Sequence, residues 1–474
     1  MNTVVKNILY NGAYQLLLLF LPLVTIPYVS RILGSENIGI YAYYVTFATY
    51  FLKCSKPGVG GYGSRSIAAI SNDREAVSHL FSEIYGVQFC ASCIAISLYA
   101  FLMLFSDNQP IYLAAGLFVL SGILDISWLF FGLEDFKRTA IRSMVIKILS
   151  VAMIFIFVRD ASDLVPYTII CCGTHAVTNL VLWLMLPSIK VKLHIKDFRN
   201  SLRHLKPMLI LFLPFIGISC YNYMDKLMLG SMVEIRELGF YQSAESIMTI
   251  PTALIAAFAT VMLPRMSKLY SDGSTKDANK YIMISLWAAA IIVSAFAFGI
   301  FSVAPNFVPL FYGPGFEPCI LLLRILMFAT IFLALANVVR SQILLPRKYD
   351  KVFVISIFAG AGINLILNFI LIPNYGAVGA SIATVAAEAA VFLVQTIYCA
   401  KFVALYRYII QSMPFILLGL AMSALLCMLP DFGSHILSII IKTIVGGVFY
   451  ITLSGIYYFK VLRKILKRDT PASG

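Results

Sequence analysis

The chain alternates blocks of about twenty apolar residues with short polar loops, the length needed to cross a bilayer core. The blocks run at about 8–30, 38–60, 80–105, 111–133, 139–158 and 164–186. After a polar stretch come 208–231, 240–264, 281–303, 319–344, 352–372, 376–399, 411–429 and 436–459. This predicts an all-α, polytopic membrane protein with about 14 transmembrane helices. The first block lacks a small-residue cleavage site after a short apolar core, so it reads as a retained helix.

Lysine and arginine set the expected orientation. The first residues, the loops after even-numbered blocks and the last residues hold 26 of the 36 cations, and the opposite loops hold only Arg31, Arg159 and Arg236. Both ends are therefore expected in the cytoplasm. Composition agrees with a membrane protein: 60% of residues are hydrophobic, 12% are charged, and mean hydropathy is +0.89. The net charge of +14 follows from topology and does not call for a nucleic-acid partner. Nine cysteines are scattered, and Cys90-x-x-Cys93 lies mid-span with no histidine nearby, so it reads as small packing residues and not as a metal site.

The two halves look related. Arg31-Ile-Leu-Gly34 and Gly39-Ile-Tyr41 are echoed by Asp225-Lys226-Leu-Met-Leu-Gly230 and Gly239-Phe-Tyr241. Gly63-Ser-Arg65 is echoed by Leu263-Pro-Arg265, at the same offset of 200 residues as the glycine–tyrosine pairs. Six intervening spans give both copies the same direction, and parallel repeats place a substrate site between halves that rock. The expected organisation is an N-terminal six-helix lobe at 1–187, a cytoplasmic linker at 188–206, a C-terminal six-helix lobe at 207–400, and two extra helices with a basic cytoplasmic tail at 401–474. In the linker, Ile195, Phe198, Leu202 and Leu205 recur at helical spacing opposite Lys196, Arg199, Arg203 and Lys206. That fits an interfacial amphipathic helix or an ordinary basic loop equally well.

With Arg142, at the start of the fifth block, counted in the preceding loop, seven cations remain outside the loops: Lys53, Lys56, Lys147, Lys226, Arg324, Arg340 and Lys442. Charges at depth cost roughly 2.5–3.5 kcal/mol each on insertion scales, so they face cavities or partners. Their excess over acids at depth favours an anionic substrate, a diphosphate being a good fit. Lys53 and Lys56 sit three apart, just before Pro57, Gly58, Gly60 and Gly61, where a helix break is expected to line a cavity. Arg324 stands deep enough to reach a cavity, whereas Arg340 and Lys442 are expected near the interface. Tyr41, Tyr43, Tyr44, Tyr221 and Tyr223 could stack on sugar rings or form an interfacial belt. No Walker loop, G-x-S-x-G or H-E-x-x-H is present, so no catalytic residue, metal or cofactor is expected.

Two motifs then carry a resemblance. Asp125-Ile-Ser-Trp128-Leu-Phe-Phe-Gly132-Leu-Glu134 resembles the span-four signature of bacterial polysaccharide repeat-unit flippases, which handle O-antigen or capsule units. Asn364-Leu-Ile-Leu-Asn368 with Pro373, Gly376, Gly379, Thr384 and Glu388 is similar to the span eleven–twelve junction of the wider multidrug/oligosaccharidyl-lipid/polysaccharide exporter superfamily. The resemblance implies two six-helix lobes related by a pseudo-twofold, with two C-terminal helices. It implies transport of an undecaprenyl-diphosphate-linked oligosaccharide across a bacterial inner membrane by alternating access, and no enzymatic activity. A proton or sodium gradient, membrane lipids, a polysaccharide polymerase and a chain-length regulator are implied as coupling and partners. The candidate substrate-binding residues are Lys53, Lys56, Arg31, Arg65, Asp125, Trp128, Lys226 and Arg324, and the candidate coupling acids are Asp225 and Glu388. A flippase for lipid-linked peptidoglycan precursors and a drug/cation antiporter of the same superfamily are the alternatives. The antiporter should favour acids over lysines at depth.

Overall fold

The computed structural model describes residues 3–469, and side chains from 17 to 460 apart from 19, 214, 215, 218 and 220–222. The side chains of Lys6, Tyr221, Arg463, Lys464, Lys467 and Arg468 lie outside those described residues. Every regular element described is helical, and contacts group the chain into two compact units, 1–239 and 240–474.

The first unit holds α1 (Thr3–Cys54), α2 (Val59–Ala68), α3 (Arg74–Met103), α4 (Gln109–Leu124), α5 (Ser127–Gly132), α6 (Phe136–Phe157), α7 (Leu164–Met185) and α8 (Leu202–Met232). The helix α9 (Ile235–Ser271) begins in it and continues into the second unit. There it is followed by α10 (Thr275–Phe311), α11 (Pro318–Val339), α12 (Asp350–Cys399), α13 (Leu405–Met428) and α14 (His435–Asp469).

Among the described residues ten helices are long and apolar enough to cross a membrane, α4 and α5 serving together as one. The protein is a multi-pass membrane protein. Two elements are too long for one crossing. The 52 residues of α1 and the 50 of α12 would each reach roughly 75 Å at the helical rise, against a core of about 30 Å. Each is broken at one glycine, Gly34 (φ 73°, ψ 172°) and Gly376 (φ 53°, ψ −131°), in backbone regions that a Cβ disfavours. Counting both as double crossings and adding α8 gives the fourteen expected segments.

In the first unit α8 runs antiparallel to the second part of α1. A Cβ on Gly58 would strike the Met208 carbonyl, Tyr50 reaches the Ser219 carbonyl (3.2 Å), and a Cβ on Gly230 would strike the Tyr43 ring. Near Gly34, the backbones at Gly39 and Gly239 touch. A Cβ on Gly39 would collide with the Ile235 carbonyl, and one on Gly239 with the Ser35 carbonyl.

The stretch before α8 does not form one amphipathic helix. Ile195–Asn200 is a 3₁₀ turn, Ile195 and Leu202 are exposed, and only Phe198 and Leu205 pack against the core. The hydrophobic recurrence is therefore divided between two elements. Polar contacts fix this stretch to α3 instead. Glu83 is paired with Arg203 and His204, His79 bonds Asp197 (2.6 Å), and Ser78 and Ser82 accept from the amides of Lys192 and His194. Cys90 and Cys93 are exposed on α3 instead of packed inside the unit. No metal-holding cluster occurs among the described residues.

In the second unit α10 is the central helix, packed against α11, α13 and α14. Trp287 is buried against Phe415 and Tyr458, Ser302 bonds Ser423 (2.9 Å), and Tyr450 donates to the Phe415 carbonyl (3.1 Å).

Candidate functional site

The site is built around two helix breaks that meet inside the first unit. The first follows α1, which ends at Cys54. Gly58 then takes a left-handed conformation (φ 67°) and starts α2, as the Pro57–Gly61 sequence predicts. Lys53 occupies the last turn of α1 and Lys56 the connecting turn. A cation at a helix C-terminus also complements the exposed carbonyl ends.

The second break separates α4 from α5 at Asp125 and Ile126. Carbonyls at the end of a helix in a membrane need donors, because no water is available in the hydrocarbon. Side chains of α3 and α7 supply them. Asn179 donates to the Ser121 carbonyl (3.0 Å), Gln88 to those of Gly122 (2.8 Å) and Asp125 (2.9 Å), Tyr85 to Ile123 (3.1 Å), and Trp183 to Leu124 (2.9 Å). Gln88 is in turn oriented by Trp128, whose indole N–H donates to Oε1 (3.0 Å). Trp128 is 3% exposed and lies so close to Gly63 that a Cβ there would enter its ring; Gly132 abuts Ile67 and the Ser64 carbonyl in the same way. The Asp125–Trp128–Gly132 spacing therefore docks α5 on α2 and holds the break in one geometry.

Asp125 joins the two breaks. Its Oδ1 accepts from the Ser127 amide (3.1 Å) and hydroxyl (2.6 Å) and so organises the start of α5, while its Oδ2 is paired with Lys56. Gly122 lets the end of α1 approach, since a Cβ there would strike Ser55.

Around this junction open two adjoining cavities of about 500 and 440 Å³. Both are lined by Lys53, Lys56, Asp125, Ser127 and Phe131. The larger adds Arg142, His175 and a wall of uncharged hydrogen-bonding groups, among them Thr49, Ser121, Thr139, Thr178, Asn179 and Tyr223. The smaller adds Arg65, Trp128 and the backbone of Gly58 to Gly61. Four cations thus face one carboxylate, with aromatic rings from Phe118, Phe131 and Phe136 beside them.

The structure brings together Lys53, Lys56, Arg65, Asp125 and Trp128 from the predicted set. It also adds Arg142, which the charge pattern assigned to a loop. Arg142 lies one and a half turns into α6, is buried, and bonds Ser143 (2.9 Å). The signal available was an arginine inside an apolar period. Lys226 stands on α8 three residues beyond Tyr223 and does not line either cavity; Asp225 beside it is buried. Arg31 is elsewhere in the unit. It bonds the Pro27 carbonyl (2.8 Å), and neighbouring Tyr28 reaches the Val158 carbonyl at the far end of α6, whereas Phe136 at the near end lines the cavity. The 22 residues of α6 put those ends roughly 33 Å apart.

The other predicted residues belong to the second unit. Arg324 donates to the Phe301 carbonyl (3.1 Å) and covers the Phe301 ring (4.9 Å). Glu388 is buried on α12 within electrostatic reach of Arg340, which begins a π-helical turn, Arg340–Leu344. Asn368 donates to Asn364 (3.0 Å), and Tyr241 and Thr384 share a hydrogen bond (3.0 Å). Lys442, expected near the interface, is only 6% exposed and is bound to Asp431 (2.9 Å). Lys442, with Asn306, holds the Asp431 carboxyl below the usual carboxylate range. A third cavity of about 310 Å³, between α10, α13 and α14, is almost wholly apolar, with Lys442 at its edge. Of the candidate tyrosines, Tyr223 lines the larger cavity, Tyr41 packs on Tyr167, and Tyr43 and Tyr44 pack on each other.

Comparison with known proteins places this architecture. The chain is 24% identical to the "Putative O-antigen transporter" of Escherichia coli (strain K12), over 81% of this chain and 93% of that one. It is 22% identical to "Capsular polysaccharide biosynthesis protein CapF" of Staphylococcus aureus, over 85% and 98%. In fold it is similar to the lipid II flippase MurJ in an inward closed conformation (TM-score 0.73, 14% identity, 97% of this chain and 100% of that one). It also resembles an inward-facing multidrug resistance MATE family transporter (TM-score 0.64, 15% identity, 85% and 95%). The model of the family described as polysaccharide biosynthesis protein matches residues 4–270, more than half of the chain. The chain belongs to that polysaccharide biosynthesis protein family.

Proposed function

We propose that this protein is a flippase that carries a polyprenyl-diphosphate-linked oligosaccharide repeat unit from the cytoplasmic to the outer leaflet, for O-antigen or capsule assembly, by alternating access. One observation carries the reading: a cationic recess at the junction of two helix breaks, where Lys53, Lys56, Arg65 and Arg142 face a wall of neutral hydrogen-bonding groups. Several cations can share a diphosphate's charge through charge-assisted contacts. The serine, threonine, asparagine and tyrosine groups suit sugar hydroxyls, and the phenylalanine rings suit their apolar faces. The names of the O-antigen and capsular relatives support the same cargo.

The chain acts on no covalent bond in this reading. It works in a bacterial inner membrane, and the distribution of lysine and arginine supports cytoplasmic ends. A polymerase and a chain-length regulator would act on the flipped units. Arg142 joins Lys53 and Lys56 as a substrate-binding residue.

The test is translocation in proteoliposomes. Labelled undecaprenyl-diphosphate oligosaccharide is reconstituted with purified protein, and exposure to an impermeant reagent is followed with and without a proton or sodium gradient. Accelerated exposure is expected. Acceleration restricted to a lipid-linked peptidoglycan precursor would reassign the cargo. Gradient-driven uptake of an organic cation, with no lipid-linked sugar moved, would overturn the reading.

A further inference from the structure

The recess contains an anion of its own. Asp125 is 13% exposed and pairs through Oδ2 with Lys56, which is 26% exposed, at the point shared by both cavities. Its two oxygens have separate partners. Oδ1 is committed to the Ser127 amide and hydroxyl, while Oδ2 reaches the lysine. The backbone of the break is held independently, by Gln88, Tyr85, Trp183 and Asn179. Lys56 can therefore leave Asp125 without unwinding α5 or freeing the end of α4. Its ammonium stands on a long, rotatable side chain rooted in the turn between α1 and α2. A pair whose only function was to brace the break would not need to lie on the cavity wall.

We propose that Asp125 is a resident counter-anion that occupies Lys56 in the empty site and is exchanged for the diphosphate of the incoming substrate. The inference rests on the reading of the recess as a diphosphate site and assigns Asp125 a role within it as a competitor. In the empty state the Lys56 charge is satisfied by Asp125. On arrival, the diphosphate takes over Lys56 together with Lys53 and Arg142, and Asp125 keeps its Ser127 bonds. On departure the Lys56–Asp125 pair re-forms, which lowers the free energy of the emptied site and favours release. A carrier must let its cargo go, so a built-in competitor tempers affinity and thereby speeds turnover.

The test is binding of farnesyl diphosphate to the purified full-length protein in detergent, read alongside flipping in proteoliposomes. Asp125→Asn removes the competing charge and retains an oxygen for the Ser127 amide. It is expected to tighten binding by about fivefold, the size of a part-exposed ion pair, while slowing flipping. Capping of α5 alone would never tighten diphosphate binding. Asp125→Ser, which also keeps an acceptor, serves as the second variant should Asp125→Asn not fold. In a Lys56→Ala background the same substitution should give no gain, because the exchanged partner is gone.

Unchanged or weaker binding in both Asp125 variants would overturn the exchange while leaving the diphosphate site standing. So would a gain that persists without Lys56, since that reports a general field effect. A wild-type protein that does not bind farnesyl diphosphate would overturn the site reading and, with it, the exchange.

Discussion

The cations of the two units differ in what surrounds them. In the first unit Lys53, Lys56, Arg65 and Arg142 line open space beside a polar wall, where Asp125 pairs with Lys56. In the second unit each buried cation has its own local arrangement. Lys442 has Asp431, Arg324 has the Phe301 carbonyl and ring, and Arg340 has the Phe353 ring and the charge of Glu388. The cavity that Lys442 borders is apolar. On the proposed reading, a charge at membrane depth is a site residue when it faces shared polar space and a structural residue when its compensation is complete where it stands. Counting cations along the sequence cannot separate the two cases.

The comparison can be broken most severely at the lysines. Lys53→Ala combined with Lys56→Ala should cut flipping by about a hundredfold or more while leaving folded protein, as two charge-assisted contacts to the diphosphate are lost. The measurement is the proteoliposome rate beside a size-exclusion profile. Next in size is Trp128→Ala, which empties the space against Gly63 and frees Gln88. A loss of about 3–5 kcal/mol is expected, read as a fall in Tm in detergent, with transport failing because the break loses its geometry.

Gln88→Leu sharpens the same point. Packing volume is nearly kept, but the Asp125 carbonyl loses its donor and the Trp128 indole its acceptor, at about 1–3 kcal/mol for each group left unsatisfied. The smallest effect should come from the second unit. Lys442→Met keeps the stem's apolar packing and frees an Asp431 that is already 68% exposed. Less than about 1 kcal/mol of stability should be lost, and flipping should stay near wild type.

Much of the fold was legible because apolar blocks of bilayer length are a strong signal, and the breaks at Gly34, Pro57–Gly61 and Pro373–Gly376 carry residues that punctuate helices. The recess was half legible. Lys53 and Lys56 stand out as charges before a glycine-rich break, but the Lys56 partner lies 69 residues away and no local pattern announces it. Asp125, Trp128 and Gly132 were visible as a motif. Their work depends on Gln88, Tyr85, Asn179 and Trp183, polar-tipped residues scattered through apolar helices, which periodicity does not single out. Arg142 was assigned to a loop because it lies near the start of a span, and depth along a helix does not reveal which way a side chain faces. For the same reason Arg324 entered the candidate set, whereas Arg31, read as a loop residue, came with the Arg31–Gly34 motif and lies at the opposite end of α6 from the recess. The helical recurrence at Ile195 to Leu205 misled because it crosses from a 3₁₀ turn into α8.

The most direct test is to compare flipping of one lipid-linked oligosaccharide by Lys53→Ala/Lys56→Ala, by Lys442→Met and by Arg324→Gln, each reconstituted at matched amounts of folded protein. The account predicts that transport collapses in the first and persists in the other two. Equal loss in all three, or persistence in the double mutant, would contradict the assignment of the substrate site to the recess of the first unit.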